Sequence, residues 1–525
     1  MHARSDDPFD ELFEPGPRHP VRIRGADLFG ITARSVDIEV SSHGEQYAPP
    51  RILGLPDATI REAYYRVSTA FRSLRWKFPR GQITINLAPA STRKAGTSFD
   101  LSIALALASL TGVLAPHRLT EALFVGEVGL DGSLRPVRGI LPILDLCVAA
   151  GIPRLCCPDE NAALADLVET PVEVVPLSGL EEALAVCAGG NARRAPSLPR
   201  SDARLAKQHD VARVRGQESA IEALVIAAAG GHHLLMSGPP GCGKTLLARC
   251  LPGILPDLER CERLALARIH SAFATIDSVE LATILTAGRR PFRAPHHTTS
   301  YAGLVGGGRP IRPGEITRAH LGVLFLDELP EFPRNALEAL RQPLEEGRIV
   351  VSRASAILTL PAQFQLVVAM NPCPCGMLGH PTRPCVDTPK QIAGYRSRIS
   401  GPLLDRIDLQ LAMHPVDASR LLSEERSGPT SSALRRRVEE ARTIALTRNR
   451  GHLNAALDEG ALRRDLAPSA HRLLTAGGRR SELSARAIVR VLRVARTVAD
   501  LSRKESIDDE AVATALHFRM RIDRS

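Results

Sequence analysis

The stretch HHLLMSGPPGCGKTLLARC, residues 232–250, contains the most specific motif of the sequence. Its first six residues are strand-like, and LLARC continues as a helix. Between them, residues 238–245 fit the pattern GxxxxGKT in the strand–loop–helix context that distinguishes a phosphate loop from a chance match. Such a loop directs backbone N–H groups and a helix N-terminus toward phosphate oxygens. The stretch therefore predicts an α/β domain that binds a nucleotide.

The residue types in this loop each have a chemical role. Gly238, Gly241 and Gly243 let the backbone N–H groups turn toward the β- and γ-phosphate oxygens. Lys244 supplies a compact positive charge to those oxygens, and the Thr245 hydroxyl is a ligand for Mg²⁺. We expect ATP, with Mg²⁺, to be bound by Gly238, Pro239, Pro240, Gly241, Cys242, Gly243, Lys244 and Thr245.

Two further apolar runs lead into polar residues. VLFL is followed by Asp327 and Glu328, and QLVVAM is followed by Asn371. Carboxylates at the end of a buried strand are costly unless they serve a cation or a reaction. We expect Asp327 to hold Mg²⁺ through water and Glu328 to take a proton from the attacking water. An Asn after a strand is by itself more often a turn residue, but here Asn371 is expected to orient that water.

Composition is that of an ordinary globular protein with several domains. The 525 residues correspond to about three domains at roughly 150 residues each. A hydrophobic content of 44% with 24% charged residues excludes a disordered chain, and a net charge of +10 permits a polyanionic partner without proving one. Ten scattered cysteines do not form a secreted disulfide scaffold. Because no leader-like or membrane-spanning run is found, we expect a cytoplasmic protein with no membrane partner.

Changes in composition predict where the chain divides. A Gly-, Pro- and Arg-rich stretch has no helical or strand period and is typical of a linker. Before it, short β-rich runs alternate with helices; after it, unbroken apolar strands indicate a parallel sheet, and the last part is almost entirely helical. The predicted segments are an acidic N-terminal extension (1–20), an α/β domain (21–188), the linker (189–212), the nucleotide-binding core (213–414) and a helical region (415–525).

Several motifs resemble the magnesium-chelatase-like AAA+ ATPases of the ComM/YifB family. They are the phosphate loop, PFRAPHHTTSYAGLVGGG, AMNPCPCG and RISGPLLDRIDL, and the resemblance covers nearly the whole chain from about Val21. It implies a P-loop AAA+ core with a parallel sheet, a C-terminal helical lid and assembly into a hexameric ring. It also implies that Arg406 is an arginine finger reaching the neighbouring subunit's nucleotide, and that Arg486 is the sensor arginine of the lid.

The same resemblance implies a function. It is that of a helicase-like ATPase acting on branched or single-stranded DNA and promoting branch migration of recombination intermediates in natural transformation. Two alternatives share the ATPase core. One is a metal-chelatase-type motor subunit, although such subunits lack the first domain found here. The other is a nucleotide-gated scaffold or chaperone without helicase activity.

Residues 21–188 resemble the α/β domain of Lon-type proteases. Ser98 falls at the position of the Lon nucleophile, but Leu141 occupies the position of the lysine base. Arg138 cannot replace that base, because a guanidinium stays protonated at working pH. Lys94 lies only four residues before Ser98, which departs from the family geometry. We expect no peptidase activity, and an ATP-dependent protease is disfavoured.

Three further motifs suggest contacts with DNA or mobile loops. Residues 346–365 predict a β-hairpin whose tip residues Arg353 and Ser355 are candidates for a phosphate backbone, with a plain packed hairpin as the alternative. His296 and His297 have no third ligand at a telling spacing, so a mobile loop is favoured over a metal site. The arginine-rich run 434–450 is expected to pack through Leu434, Val438, Ala441 and Ala445 and to expose its basic side.

A cluster of thiols forms the last candidate site. Cys373, Cys375 and Cys385 lie in a Pro- and Gly-rich loop directly after Asn371. Zn²⁺ prefers four ligands in a structural site, and His380 or Asp387 would complete the set. In the resembling family a fourth cysteine is common where this chain has Asp387. Zinc binding and a loop with spare thiols both remain open.

Overall fold

The computed structural model describes residues 20–44, 46, 48–196, 209–308, 311–353, 356–416, 428–480 and 483–519. The chain forms two compact units. Unit 1 comprises Met1–Leu205 together with Arg263–Ala287, and unit 2 comprises Ala206–Glu262 and Gly288–Ser525. Within the described ranges, no helix combines the length and the apolar character needed to cross a bilayer.

Unit 1 is built on a seven-stranded mixed sheet. Its elements are β1 (Val21–Phe29), β2 (Thr32–His43), β3 (Ala48–Leu53), α1 (Ala58–Ser73), β4 (Gln82–Ala88), α2 (Asp100–Leu110), β5 (Ala122–Phe124), β6 (Glu127–Val128), β7 (Leu134–Arg135), α3 (Ile140–Ala149), β8 (Arg154–Pro158), α4 (Asp159–Ala165), β9 (Glu173–Leu177) and α5 (Leu180–Cys187). The strand order is β3-β4-β2-β1-β5-β8-β9. The β2 strand is antiparallel to β1 and β4, whereas β1, β5, β8 and β9 run parallel.

Helices cover both faces of this sheet. On one face α1, α2 and α5 share an apolar core, and every residue of α2 is buried, which explains why its sequence is apolar on all sides apart from Asp100, Ser102 and Ser109. On the other face α3 and α4 form a second core together with α8 (Arg260–Phe273) and α9 (Ser278–Ala287). The α8–α9 segment is inserted from the middle of the chain into unit 1, which the sequence pattern did not predict.

Unit 2 contains a five-stranded, all-parallel sheet. Its elements are α6 (Glu218–Gly230), β10 (Leu234–Ser237), α7 (Lys244–Ile254), β11 (Phe292–Arg293), α10 (Tyr301–Val305), β12 (Gly306–Gly307), β13 (Arg312–Pro313), α11 (Glu315–Arg318), β14 (Val323–Leu326), α12 (Arg334–Glu338), α13 (Arg341–Glu346), β15 (Arg348–Arg353), β16 (Ala356–Pro361), β17 (Gln365–Met370), α14 (Pro389–Arg396), α15 (Gly401–Leu404), β18 (Leu409–Ala412), α16 (Ser431–Arg448), α17 (Glu459–Arg464), α18 (Pro468–Arg480), α19 (Ala485–Leu501) and α20 (Asp509–His517). The strand order is β11-β14-β17-β10-β18.

This strand order positions the candidate site. The β10, β14 and β17 strands are buried along their whole length, as expected for a parallel sheet covered on both faces. The β17 strand lies between β14 and β10 and is hydrogen-bonded to both. Because parallel strands end at the same edge, the residues that follow these three strands meet there.

The helices α16 to α20 continue the apolar core of unit 2. Residues from α6, α7, α16, α19 and α20 belong to one cluster with β10 and β18. The buried face of α16 is formed by Leu434, Val438, Ala441 and Ala445, which confirms the predicted stripe.

Candidate nucleotide site

The glycine-rich loop connects β10 to α7 with a backbone that only glycine adopts without strain. Gly241 and Gly243 have φ of +81° and +93°, in the left-handed region. Gly243 precedes the first residue of α7, so the loop turns directly into the helix N-terminus. At the other end, a Cβ on Gly238 would lie 2.6 Å from the carbonyl oxygen of Met413, so this position has no room for a side chain.

Lys244 is held inside the loop by oxygen acceptors. Its Nζ donates to the carbonyl oxygens of Gly238 at 2.5 Å and Pro239 at 2.9 Å, and to Oδ1 of Asn371 at 3.2 Å. The side chain is buried, and burial lowers the pKa of its ammonium group from the ordinary value. The structure thus brings the predicted cation and the predicted amide into contact.

Thr245 and Asp327 form an oxygen pair at the same edge of the sheet. The Thr245 hydroxyl donates to Asp327 Oδ2 at 2.7 Å, although the two residues are 82 positions apart in the chain. Hydroxyl and carboxylate oxygens are the hard ligands that Mg²⁺ prefers. This donor set fits the predicted role of both residues.

Glu328 has a constrained backbone and a histidine partner. Its φ is +53°, a conformation that a non-glycine residue adopts at a cost of order 1–3 kcal/mol and that is concentrated at functional sites. His297 Nδ1 lies 3.0 Å from Glu328 Oε2. His297 is therefore a partner of the predicted proton acceptor, a role that the sequence analysis missed because the two residues are 31 positions apart in the chain.

The two arginines predicted from the family resemblance lie in different surroundings. Arg406 follows α15 and is buried; its guanidinium donates to the Pro402 carbonyl at 2.6 Å and pairs with Glu345 on α13. Its Nε is buried and has no hydrogen-bond partner among the described residues. Arg486 is exposed in the first turn of α19. Four positions later, Arg490 pairs at 2.6 Å with Asp408, a buried carboxylate that the sequence analysis did not single out.

The candidate DNA-contacting residues are only partly described. The β15 and β16 strands form the predicted antiparallel hairpin, in which Arg353 pairs with Ala356. Ser355 and the side chain of Arg353 lie outside the described residues.

The arginine-rich run that includes helix α16 exposes only part of the basic side that the sequence predicts. Arg442 donates to the Ala228 carbonyl, and burial lowers the pKa of its guanidinium to about 9. Arg448 pairs with the buried Asp500, and Arg435 pairs with Asp257. Those three arginines are bonded to other groups of unit 2. The exposed arginines of the run are Arg436, Arg437 and Arg450.

The predicted thiol cluster exists. Cys373, Cys375, Cys385 and Asp387 place one ligand atom each within 4.8 Å of the others, in the part of the chain that the structure describes. His380 is outside this group; its Nδ1 accepts N–H groups from Thr382 and Arg383 in its own turn.

Ser98 of unit 1 is bonded to the backbone rather than to a base. Its hydroxyl donates to the Ala26 carbonyl at 2.9 Å. Lys94 is fully buried, and its Nζ donates to the carbonyl oxygens of Gly54, Leu87 and Pro89, so all three ammonium hydrogens have backbone acceptors. Burial lowers the pKa of this ammonium group, but its hydrogen bonds tie it to those carbonyls and not to Ser98. Ser98 and Lys94 therefore do not form a hydrogen-bonded pair in this structure.

The helix that carries Leu141 is covered by the inserted segment. The N–H groups of Gly139 and Leu141 donate to the carbonyl and hydroxyl oxygens of Ser271 on α8 at 2.8 and 3.4 Å. Arg268 forms a bidentate pair with Asp145, with both contacts at 2.6 Å. The N-terminus of α3 is thus used for packing of the insert.

One acidic group of unit 1 gives a pH-dependent prediction. Burial raises the pKa of the Asp27 carboxyl from 3.8 to about 6, against opposing N–H bonds from Ala95 and Leu28. Because the folded state favours the protonated carboxyl, Asp27 contributes most to the free energy of unfolding at low pH. This contribution is lost as pH rises through about 6. We expect Asp27→Asn to stabilise unit 1 by about 1–2 kcal/mol at pH 8 and by clearly less at pH 4.5.

The fluorescence of Trp76 reports the unfolding of unit 1, because Trp76 is the only tryptophan of the chain. Its ring packs against that of Phe71, with 5.2 Å between the ring centroids. Urea unfolding is followed by its fluorescence at both pH values. A gain in stability from Asp27→Asn that is equal at pH 8 and pH 4.5 would contradict the role of the Asp27 charge.

The fold and the candidate site together indicate a class of protein. A mixed α/β chain with a parallel sheet, a phosphate loop, and polar residues gathered at the carboxyl edge of that sheet is consistent with an AAA+ ATPase core.

Comparison with known proteins identifies the family. The family profile "Magnesium chelatase, subunit ChlI" matches residues 210–421, "Subunit ChlI of Mg-chelatase" matches 36–161, and "Magnesium chelatase, subunit ChlI C-terminal" matches 428–519. Competence protein ComM of Haemophilus influenzae is 39% identical over 502 residues, which is 93% of this chain and 95% of that protein. Uncharacterized protein YifB of Escherichia coli is 39% identical over 504 residues, 94% of this chain and 96% of that protein. The chain belongs to the magnesium-chelatase-like ComM/YifB family.

A shorter similarity concerns Lon proteases. Lon protease 1 of Thermus thermophilus is 36% identical over 124 residues, which is 22% of this chain and 15% of that protein. The resemblance to Lon is therefore real but partial.

Proposed function

We propose that this protein is an ATP-hydrolysing, ring-forming motor that acts on DNA. The observation that supports ATP hydrolysis is the convergence of Lys244, Thr245, Asp327, Glu328 and Asn371 at the carboxyl edge of one parallel sheet. These residues come from three strands that are far apart in the sequence. Such convergence is expected of a nucleotide site and has no evident structural purpose.

Each residue then has a defined task when ATP binds. Lys244 exchanges its backbone carbonyl acceptors for β- and γ-phosphate oxygens. Thr245 and, through water, Asp327 would hold Mg²⁺, and the bound ion would supply positive charge beside the phosphates. Asn371 orients the attacking water, and Glu328 leaves its contact with His297 to accept the proton of that water.

The ring is proposed on the basis of Arg406 and Arg486. Arg406 would be donated to the nucleotide of a neighbouring subunit, most simply in a hexamer, and Arg486 would act from the helical lid. A buried Nε with no partner among the described residues and an exposed carboxylate partner, Glu345, are consistent with an arginine that changes partners on assembly.

The proposed partner is branched or single-stranded DNA, and the proposed activity is helicase-like branch migration of recombination intermediates in natural transformation, in the cytoplasm. Support comes from the 39% identity to a protein named for competence and from the net charge of +10. The exposed Arg436, Arg437 and Arg450 of the arginine-rich run and the β15–β16 hairpin are candidate contacts. The proposed cofactors are ATP and Mg²⁺, with Zn²⁺ at Cys373, Cys375 and Cys385.

Strand exchange on a synthetic four-way junction tests this function. We expect exchange with ATP and Mg²⁺ and none with a nonhydrolysable ATP analogue. Binding to forked DNA should weaken about 10³-fold or more between roughly 50 and 200 mM salt if about six phosphates are contacted. Binding and nucleotide hydrolysis without strand movement would instead support the scaffold alternative.

A further inference from the structure

The three thiols of the cysteine cluster have the spacing of metal ligands. The Sγ atom of Cys375 lies 3.4 Å from that of Cys373 and 3.6 Å from that of Cys385, and Cys373 and Cys385 are 3.6 Å apart. Four ligands at about 2.3 Å around a tetrahedral Zn²⁺ are separated by about 3.8 Å. A near-equilateral triangle of free sulfurs matches one face of such a tetrahedron.

Asp387 supplies the fourth ligand atom of the group, within 4.8 Å of the three sulfurs. Its Oδ2 lies 3.8 Å from the Sγ of Cys385 and accepts the N–H of Cys375 at 2.8 Å. The N–H of Leu378 approaches the Sγ of Cys373 at 3.3 Å. Ligating carboxylates and thiolates are oriented by hydrogen bonds of this kind. The structure therefore favours Asp387 over His380, which bonds within its own turn.

Local backbone geometry holds the ligands in this arrangement. Gly376 has φ of +79°, and its N–H donates to the Cys373 carbonyl at 3.0 Å, which closes a tight turn between the first two thiols. A β-carbon at Gly376 would lie 2.8 Å from Cδ of Pro240 and 3.8 Å from Cγ of Asn371. The turn thus lies directly against the phosphate loop.

The helix α14, which follows the cysteine cluster, also contacts the candidate nucleotide site. Tyr395 on α14 is hydrogen-bonded to the backbone of Asn371, and Arg396 Nε donates to the Pro372 carbonyl at 3.3 Å. Asn371 therefore lies near Gly376 of the thiol turn and is hydrogen-bonded to Tyr395 of α14. The cysteine cluster, which spans residues 373–387, connects the turn at Gly376 to the start of α14.

We propose that Cys373, Cys375, Cys385 and Asp387 bind one Zn²⁺ per chain, and that this ion fixes Asn371 and the Pro240 side of the phosphate loop. The metal assignment stands on the ligand geometry alone, whereas the coupling rests on the proposed nucleotide site. The free energy of metal binding orders the loop, because the ligands converge only when the turn is folded.

Metal content of the full-length protein tests the assignment without any nucleotide. We expect one zinc per chain by elemental analysis, and a cobalt-substituted protein with thiolate-to-cobalt charge transfer and tetrahedral d–d bands. Cys375→Ser should lose the metal and Asp387→Asn should bind it at least about tenfold more weakly, whereas Asp387→Cys should keep one metal with stronger charge transfer. Cys261→Ser, at an exposed cysteine outside the cluster, and His380→Ala should match wild type.

Wild-type protein that neither contains zinc nor takes up cobalt would overturn the assignment. Loss of metal in His380→Ala with normal binding in Asp387→Asn would overturn the choice of the fourth ligand. For the coupling, we expect Cys375→Ser to bind a fluorescent ATP analogue about tenfold more weakly in excess Mg²⁺. Unchanged nucleotide affinity in this zinc-free variant would refute the coupling. Failure of zinc-loaded wild type to bind the analogue would instead contradict the proposed nucleotide site.

Discussion

Glu328→Gln is expected to lower the rate constant of ATP hydrolysis at least about 100-fold while ATP affinity stays within about threefold of wild type. A glutamine side chain cannot accept the proton of the attacking water. It has the same shape as glutamate, so the positive φ at this position costs both residues alike. It also still offers an amide oxygen to His297. The fold should therefore be preserved while the chemical step is lost.

The contrast with Lys244→Ala makes the result specific. Lys244→Ala removes the charge that meets the phosphates, so nucleotide affinity itself should fall, by about tenfold or more. Glu331→Gln is the matched control, because Glu331 lies three residues from Glu328 and pairs with Arg398 at the surface. Steady-state hydrolysis and equilibrium binding of a fluorescent ATP analogue separate the two effects. Normal hydrolysis by Glu328→Gln would remove Glu328 from its assigned role.

The Arg406→Ala variant should hydrolyse ATP about 10³-fold more slowly, because an arginine finger stabilises charge on the transferred phosphoryl group. The loss of activity should affect the nucleotide bound by the neighbouring subunit, and not the nucleotide of the variant subunit itself. Lys244→Ala subunits carry an intact Arg406, and Arg406→Ala subunits carry an intact phosphate loop. Mixing the two inactive variants should therefore restore part of the activity, since some interfaces then combine both intact halves.

Arg398→Ala is the control for loss of an arginine in the same region, because Arg398 lies eight residues earlier and is half exposed in a surface pair with Glu331. It should retain activity close to wild type. Hydrolysis is measured across mixing ratios, with the oligomeric state followed by light scattering. Mixtures that assemble but stay inactive at every ratio would show that Arg406 does not act across an interface. Full activity of Arg406→Ala would show that it is no finger at all.

The local parts of the site are readable from the sequence for a physical reason. Gly241 and Gly243 of the phosphate loop are required by positive φ angles, and the strand before the loop is marked by its apolar residues. The same applies to α16, whose buried stripe follows from helical spacing. The family was also predictable, since its motifs are contiguous and the comparisons confirm it.

Contacts between distant residues were not readable in this way. Nothing in the pattern of the arginine-rich run distinguishes Arg442, which is bonded to the Ala228 carbonyl, from the exposed Arg436. His297 and its neighbour suggested a mobile loop, yet His297 meets Glu328. The α8–α9 segment packs in unit 1, although it lies between two strands of unit 2 in the chain.

Short stretches of the sequence predict which residues are candidates for binding phosphate, because backbone conformation and strand burial depend on neighbouring residues. How those candidates meet depends on the tertiary structure. The placement of β17 between β14 and β10 brings Asn371 to Lys244 and leaves Asp327 within reach of Thr245. The same folding places Asp387 beside three thiols. Strand order and loop closure depend on packing across the whole unit, and no local pattern specifies them.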